Sequence, residues 1–308
     1  MKVINSLEEI KKPFSKAVIT IGNFDGVHLG HQSLFQKVKE RAKIIKGTSI
    51  VITFEPHPVK VLTGKHIPLI TPLPRKLELI AAQGIEVTIC LPFTKEFSQI
   101  SAEEFVKEIL IKKIGMKEIV IGYNYTFGRK REGNVELLKI LGEKLGFKVH
   151  VIEPVMINGQ IVSSSLVREL ITAGQVDKVK DFLSRYYQVA GKVIPGHGRG
   201  SRLLGIPTAN LSLINEVFPK PGVYAVEVIY QKNRYQGVAN IGFNPTFGNN
   251  TLSVETHILD FNENIYDKTI KLNFIKRLRD EKKFKNVQDL ATQIKKDIEV
   301  ARKILPPV

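Results

Sequence analysis

Residues 22–32 read GNFDGVHLGHQ. His28 and His31 stand three apart, with the carboxylate of Asp25 just before them. Residues of these types can ligate a metal, serve as acid and base in hydrolysis, or donate N–H groups to phosphate. A metal would need a third ligand. Asp25 is a candidate, but no Cys/His cluster accompanies it. Gly22, Gly26 and Gly30 let the backbone turn sharply and approach a ligand closely. Four more stretches carry chemistry-bearing residues: FEPHP (54–58), IGYNYTFGRKREGN (121–134), VSSSLVREL (162–170) and GKVIPGHGRGSRLLGIPTAN (191–210). Glu255 lies within the strand-like run SVETHILDF (253–261), and Arg279 within the basic run FIKRLRDEKKF (274–284).

The elements that position these residues can be read from periodicity. KAVITIG (16–22), TSIVITF (48–54), EVTICLPF (86–93), EIVIG (118–122) and KVHVIEPV (148–155) are continuous apolar runs. Strands covered on both faces look like this, so a parallel sheet wrapped by helices is expected. Helical patterns fall between them at about 29–46, 73–83 and 133–145. Ser101 and Glu104 form a capping box that opens another helix, ending before Gly115. GNFDGVHLGHQ thus joins a strand to a helix, where helix N-termini favour anions and open α/β sheets bind ligands. In VSSSLVREL the serines cap a helix, and Arg168 in its first turn opposes the helix dipole unless an anion binds there.

The pattern changes near residues 183–190. Segments 184–194, 222–230, 234–242, 252–260 and 269–276 are strand-like, and several alternate with period two. QKNR (231–234) reads as a hairpin connection, and one helix over 286–303 follows the strands. Consecutive strands without helices suggest a small antiparallel barrel or sandwich. The fold class is therefore α/β followed by β, with domains at 1–184 and 185–308.

The 308 residues carry a net charge of +16, spread over both halves rather than gathered in a tail. A lysine-rich solvated surface that attracts small anions accounts for this. No apolar run is long enough for a membrane span, and no secretory h-region is visible. Cys90 is the only cysteine. A reducing, cytoplasmic setting is expected, with neither membrane nor nucleic acid as partner. Self-association is left open.

GNFDGVHLGH resembles the H-x-G-H signature of the nucleotidyltransferase superfamily, in the form found in bacterial bifunctional riboflavin kinase/FMN adenylyltransferases. The other motifs follow in that family's order across essentially the whole chain. The resemblance implies a Rossmann-like adenylyltransferase domain followed by a β-barrel riboflavin kinase domain. It implies that His28 and His31 contact nucleotide phosphates and help stabilise the transition state, with no covalent intermediate. Gly22, Phe24, Asp25, Phe54, His57, Pro58, Asn124 and Arg129 would line the ATP/FMN site. Ser163, Ser164, Ser165 and Arg168 would contact phosphate, with Ser165 at the family's threonine position. PTAN (207–210) resembles the kinase motif in which Thr208 and Asn210 coordinate Mg²⁺. Gly191, Lys192, Gly198, Gly205, Pro207 and Arg279 would contact ATP or riboflavin. Glu255 would accept the proton of the riboflavin 5′-hydroxyl.

The implied function is FAD synthesis in two ATP-dependent steps, riboflavin to FMN and FMN to FAD. Riboflavin, FMN and ATP are the implied small-molecule partners. Two other readings compete. A nucleotidyltransferase for another acceptor would have no use for PTAN or Glu255. An RNA-binding protein would fit the basic charge, but the basic stretches carry few aromatics and the chain has no tryptophan to stack on bases.

Overall fold

The computed structural model describes residues 1–195, 206–244 and 251–307. Two compact units divide the chain, Met1–Ser164 and Ser165–Val308.

Unit 1 is built on a six-stranded sheet. Its strands are β1 (Lys2–Ile4), β2 (Ala17–Ile21), β3 (Ser49–Glu55), β4 (Val87–Pro92), β5 (Met116–Gly122) and β8 (Lys148–Ile152). They lie parallel in the order β1-β4-β3-β2-β5-β8. Two short hairpins, β6–β7 (Thr126–Phe127, Gly133–Asn134) and β9–β10 (Met156–Ile157, Gln160–Ile161), complete the strands. The helices are α1 (Leu29–Ile45), α2 (Pro58–Thr63), α3 (Leu73–Ala82), α4 (Ala102–Glu104) and α5 (Val135–Leu145).

Every residue of β2 is buried, as its unbroken apolar run requires. Alternate residues serve two cores. Ile19, Ile50 and Ile119 pack with Val106, Leu110 and Leu138 on one face. Val18, Val51 and Val120 pack with Phe35, Val38 and Ile80 of α1 and α3 on the other. Each such side chain contributes roughly 1.5–3 kcal/mol of burial.

Besides the two short hairpins, three features of unit 1 depart from the sequence reading. β1 adds an edge strand beside β4, too short to show a period. α4 passes into a π-wound stretch at Phe105–Ile114, although the expected cap is present, Glu104 N–H donating to Ser101 Oγ at 3.2 Å. The FEPHP segment starts α2, with Pro58 at its first position and His57 as its cap.

Helix α6 (Ser164–Thr172) has its first residue in unit 1 and the rest in unit 2, where α7 (Val176–Leu183) follows. The barrel strands are β11 (Tyr187–Ile194), β12 (Ala209–Leu213), β13 (Gly222–Tyr230), β14 (Asn233–Asn244), β15 (Thr251–Ile258) and β16 (Thr269–Arg279). They close antiparallel in the order β11-β12-β15-β14-β13-β16. The ring is a barrel and not a sandwich, and closure leaves no strand edge to protect. Tyr187, Tyr224, Val226, Val228 and Phe274 fill its interior. α8 (Val287–Ile304) covers part of the outside through Ala301, against Val223, Ala225 and Val238. The change of pattern near residue 185 marks the first barrel strand. The compact unit begins earlier because α7 packs on β11 and β16.

One ionic cluster lies inside unit 1. Glu118 on β5 accepts two hydrogen bonds from Arg41 of α1, at 2.7 and 2.9 Å. It also lies 2.7 Å from His150 Nε2 on β8. The Arg41 hydrogen bond, aided by His150, holds the Glu118 carboxyl below its ordinary value of 4.5, against the opposing effect of burial. A carboxyl lowered by folding stabilises fully above its ordinary pKa and loses that contribution as pH falls through its folded value. Glu118→Gln is therefore expected to cost about 3 kcal/mol at neutral pH and less at an acid pH well below 4.5. Urea unfolding at the two pH values measures this; an equal loss at both would refute an ionised cluster.

Candidate functional site

The loop after β2 is held in an unusual conformation. Phe24 and Val27 have φ of +50° and +43°. Left-handed backbone is costly for such residues, and most of all for a β-branched valine. Hydrogen bonds hold the loop at nearly every step. Gly22 N–H donates to Ile52 O at 3.0 Å and Val27 N–H to Phe24 O at 3.1 Å. The buried carboxylate of Asp25 accepts from Ile70 N–H and Thr71 N–H, both at 3.1 Å. Gly26 N–H donates to Thr71 Oγ1 at 3.0 Å, and Ser164 Oγ to Asp25 O at 2.9 Å.

The loop delivers two imidazoles. His28 caps α1, its Nδ1 accepting from His31 N–H at 3.3 Å. An Nδ1 that accepts leaves Nε2 as the ring position that can donate. The two rings stack at 3.5 Å, and Phe24 meets His31 edge-on at 5.2 Å. Gly30 has little room beside it: a Cβ there would lie 3.2 Å from both Cε1 and Nδ1 of His28, so the ring would have to give by a few tenths of an ångström.

These rings face a cavity of about 340 Å³. Its walls include Gly22, Phe24, His28 and His31 after β2, Asn124 and Tyr125 after β5, and Ser163 and Ser164 at the start of α6. β3 and β5 flank β2 on opposite sides, so the cavity sits where the winding of the sheet reverses. Ligands bind at such crevices, outside the carboxyl ends of the strands. Tyr125 stacks on Phe127 at 5.5 Å, and burial pushes its hydroxyl pKa up.

Seven of the expected residues therefore line one cavity, and the others of this half stand outside its wall. Asp25 acts through the loop backbone. Phe54 packs on Phe93 and Phe97. His57 Nδ1 accepts from Val59 N–H at 3.2 Å, capping the helix that Pro58 begins. Arg129 is exposed, its backbone N–H bonded to Ile100 O. Ser165 and Arg168 follow on α6, within unit 2. Sequence reasoning missed Lys76 of α3, which is 5% exposed. Its Nζ donates to Asn23 O and to Thr53 Oγ1, both at 3.2 Å. Nothing in the helical pattern distinguishes it from a surface lysine.

In the barrel, register assembles a second constellation. Asn210 pairs with Glu255, Glu255 with Asn240, Asn240 with Val223, and Val223 with Arg279. Directly opposed residues of an antiparallel pair project to the same face. This row lies outside the barrel, because Ala239, Ile241, Val254 and Thr256 on alternate positions are buried within it. Arg279 is engaged by Asp297 of α8 through Nε at 3.0 Å and Nη2 at 2.7 Å. Pro207 and Thr208 line a cavity of about 330 Å³ with Thr256, Phe261, Glu263 and Tyr266. The buried Thr256 hydroxyl on its wall has no hydrogen-bond partner among the described residues.

His257 donates from Nδ1 to Pro207 O at 2.8 Å, pinning the start of PTAN to β15. Asn240 and His257 were not singled out from sequence, although Asn240 lies in the strand-like segment 234–242 and His257 in SVETHILDF. Gly191 packs against Ser212 of β12, and Lys192 pairs with Asp267 at 2.8 Å. Gly198 and Gly205 lie outside the described residues. Among the described residues no cluster of His, Cys, Asp or Glu could hold a metal. Thr208 and Asn210 offer neutral oxygens, which suit a hard cation that keeps water and phosphate as its other ligands.

The FAD synthetase family matches residues 10–166, and the riboflavin kinase family residues 183–305. A protein of Buchnera aphidicola from Schizaphis graminum is 36% identical over 98% of both chains. One of Pseudomonas fluorescens is 35% identical over 100% of this chain and 99% of its own. Both are named bifunctional riboflavin kinase/FMN adenylyltransferase. A solved structure from Streptococcus pneumoniae, described as a macrolide-efflux protein, matches with a TM-score of 0.90 and 32% identity, covering 98% of this chain and 99% of that one. Among the described residues no helix is long and apolar enough to cross a membrane.

Gly30→Ala is expected to displace the His28 ring, shifting its imidazole ¹⁵N resonances, and to cost about 1–3 kcal/mol of stability through overpacking. Unmoved His28 resonances would show that the glycine does not fix the ring.

Proposed function

This chain belongs to the family of bifunctional riboflavin kinase/FMN adenylyltransferases, and from that premise we propose which residues perform each of its two reactions. The enzyme phosphorylates riboflavin with ATP to give FMN. It then adenylylates FMN with a second ATP, giving FAD and pyrophosphate. We draw the domain boundary at 184/185, so that α6 and α7 stay with the adenylyltransferase sequence.

In the adenylyltransferase, an FMN phosphate oxygen attacks the α-phosphorus and the bond to the pyrophosphate oxygen breaks. His28 and His31 donate imidazole N–H groups to phosphoryl oxygens as charge builds on them. Ser163, Ser164, Ser165 and Arg168 add donors to the same phosphates. Gly22 gives the chain close approach to the ligand, Phe24 carries His31, and Asn124 bonds a base or flavin edge. Phe54, His57, Pro58 and Arg129 complete the site on the family pattern, and Asp25 serves by holding the loop. The observation that carries this reading is the convergence of both histidines, Asn124 and two serines on one cavity at the reversal of the sheet.

In the kinase, the riboflavin 5′-oxygen attacks the γ-phosphorus, ADP leaves, and Glu255 takes the hydroxyl proton. The opposition of Asn210 and Glu255 across two strands supports a shared site for metal ligand and base. Thr208 and Asn210 would hold Mg²⁺, which when bound neutralises phosphate charge. Gly191, Lys192, Gly198, Gly205 and Pro207 belong to the ATP-binding segment. Arg279 contacts the substrate from an orientation set by Asp297. Most of the catalysis is positioning and charge neutralisation, so neutral metal ligands and one carboxylate suffice. A reducing, cytoplasmic setting suits this reading, and the basic surface draws in anionic substrates. Neither nucleic acid nor membrane has a part in this reading.

Two variants test the assignment, with riboflavin, FMN and FAD separated by chromatography. His28→Ala with His31→Ala is expected to lower FAD formation by at least about 100-fold while FMN still accumulates. Loss of both products in a folded variant would refute separate sites. Glu255→Gln is expected to slow FMN formation by about 100-fold or more and to leave adenylylation of supplied FMN intact. An undiminished kinase rate would remove Glu255 as the base.

A further inference from the structure

Lys76 is a buried ammonium that neither reaction uses directly. Among the described residues no carboxylate pairs with it. Its Nζ reaches the carbonyl of Asn23 and the hydroxyl of Thr53, and Thr53 Oγ1 itself donates to Asn23 O at 3.2 Å. The charged or titratable groups facing it are Cys90 of β4, Glu55 of β3 and Asp25 of the loop. Burial lowers the pKa of Lys76, against the attraction of those three groups. An ammonium kept out of water without a close counter-ion is costly, and an apolar residue of the same length would stabilise the fold more.

The location of Lys76 gives that cost a purpose. Asn23 immediately precedes Phe24, the first left-handed residue of the loop. A charge-assisted hydrogen bond on the Asn23 carbonyl is stronger than a neutral one and fixes the peptide plane that enters this turn. Phe24 in turn carries His31 on its ring, and His31 stacks with His28. The chain of contact thus runs from the helix α3 ammonium to both imidazoles, through backbone and one aromatic ring.

We propose that Lys76 is a positioning residue for adenylyl transfer: with Thr53 it clamps the Asn23 carbonyl and so sets the left-handed turn that aims His28 and His31. The proposal rests on reading those histidines as phosphate contacts. Misaimed donors lose more in the transition state than in the ground state, so the effect falls on kcat more than on KM.

The test uses the full-length chain with Lys76→Met, Thr53→Val, the double variant His28→Ala/His31→Ala, and Glu118→Gln as a control that destabilises the same unit away from the loop. Rates are normalised to the folded fraction, and riboflavin kinase activity confirms the enzyme concentration. Lys76→Met is expected to lower adenylylation kcat at least tenfold, to keep KM for FMN within threefold, and to shift the His28 and His31 imidazole ¹⁵N resonances. Thr53→Val is expected to move both readouts the same way by less, and Glu118→Gln neither. Wild-type kcat and unshifted histidines in folded Lys76→Met overturn the proposal, as does a fall no larger than that of Glu118→Gln. If Lys76→Met does not fold, Thr53→Val decides, and wild-type kcat in it overturns the proposal. If the double histidine variant keeps full adenylylation, the underlying reading of the site has failed instead.

Discussion

The adenylyltransferase half depends on a backbone turn that would not persist alone. Two non-glycine residues, Phe24 and Val27, sit in left-handed conformation within four positions. Each costs on the order of 1–3 kcal/mol, so the surroundings must overdetermine the turn. They do so through the Asp25 carboxylate on two backbone amides, Thr71 on Gly26, Ser164 on the Asp25 carbonyl, and Lys76 with Thr53 on Asn23. Most of these partners come from segments distant in sequence. The loop is thereby anchored to the sheet, to the approach to α3 and to the start of α6. Two stacked imidazoles at the mouth of a cavity are the product.

The barrel solves a different problem. Tyr187, Tyr224 and Phe274 fill much of its interior, while Val193, Ala209, Thr256 and Ile258 wall a cavity of about 330 Å³. On the outside, register brings Asn210, Glu255 and Asn240 side by side. The same row ends at Arg279, which α8 restrains through Asp297. A rigid barrel suits phosphoryl transfer, because that reaction gains most from fixed donors and acceptors.

Much of this was legible beforehand. The buried strands of unit 1 declared themselves as unbroken apolar runs, and α1, α3 and α5 by their spacing. What escaped has physical causes. β1 is three residues long, too few for a period. β12 begins in the last two residues of a glycine-rich motif whose composition suggests a loop. The π-wound stretch at Phe105–Ile114 leaves no mark in a pattern that reads as helical. Asp25, a potential ligand by type, is committed to backbone amides 45 residues away or more, which only the fold reveals. Lys76 and Glu118 carry charges that look solvent-exposed in sequence and are buried in space.

The sequence by itself determined the change from α/β to β architecture, the reaction class and the candidate residues for each site, because each motif is a contiguous segment whose composition and spacing carry its chemistry. Tertiary structure alone decided which of those residues share a cavity, which stand opposite each other across barrel strands, and which buried charges hold them in place. Register and burial are set by partners tens of residues apart, and no local pattern encodes them.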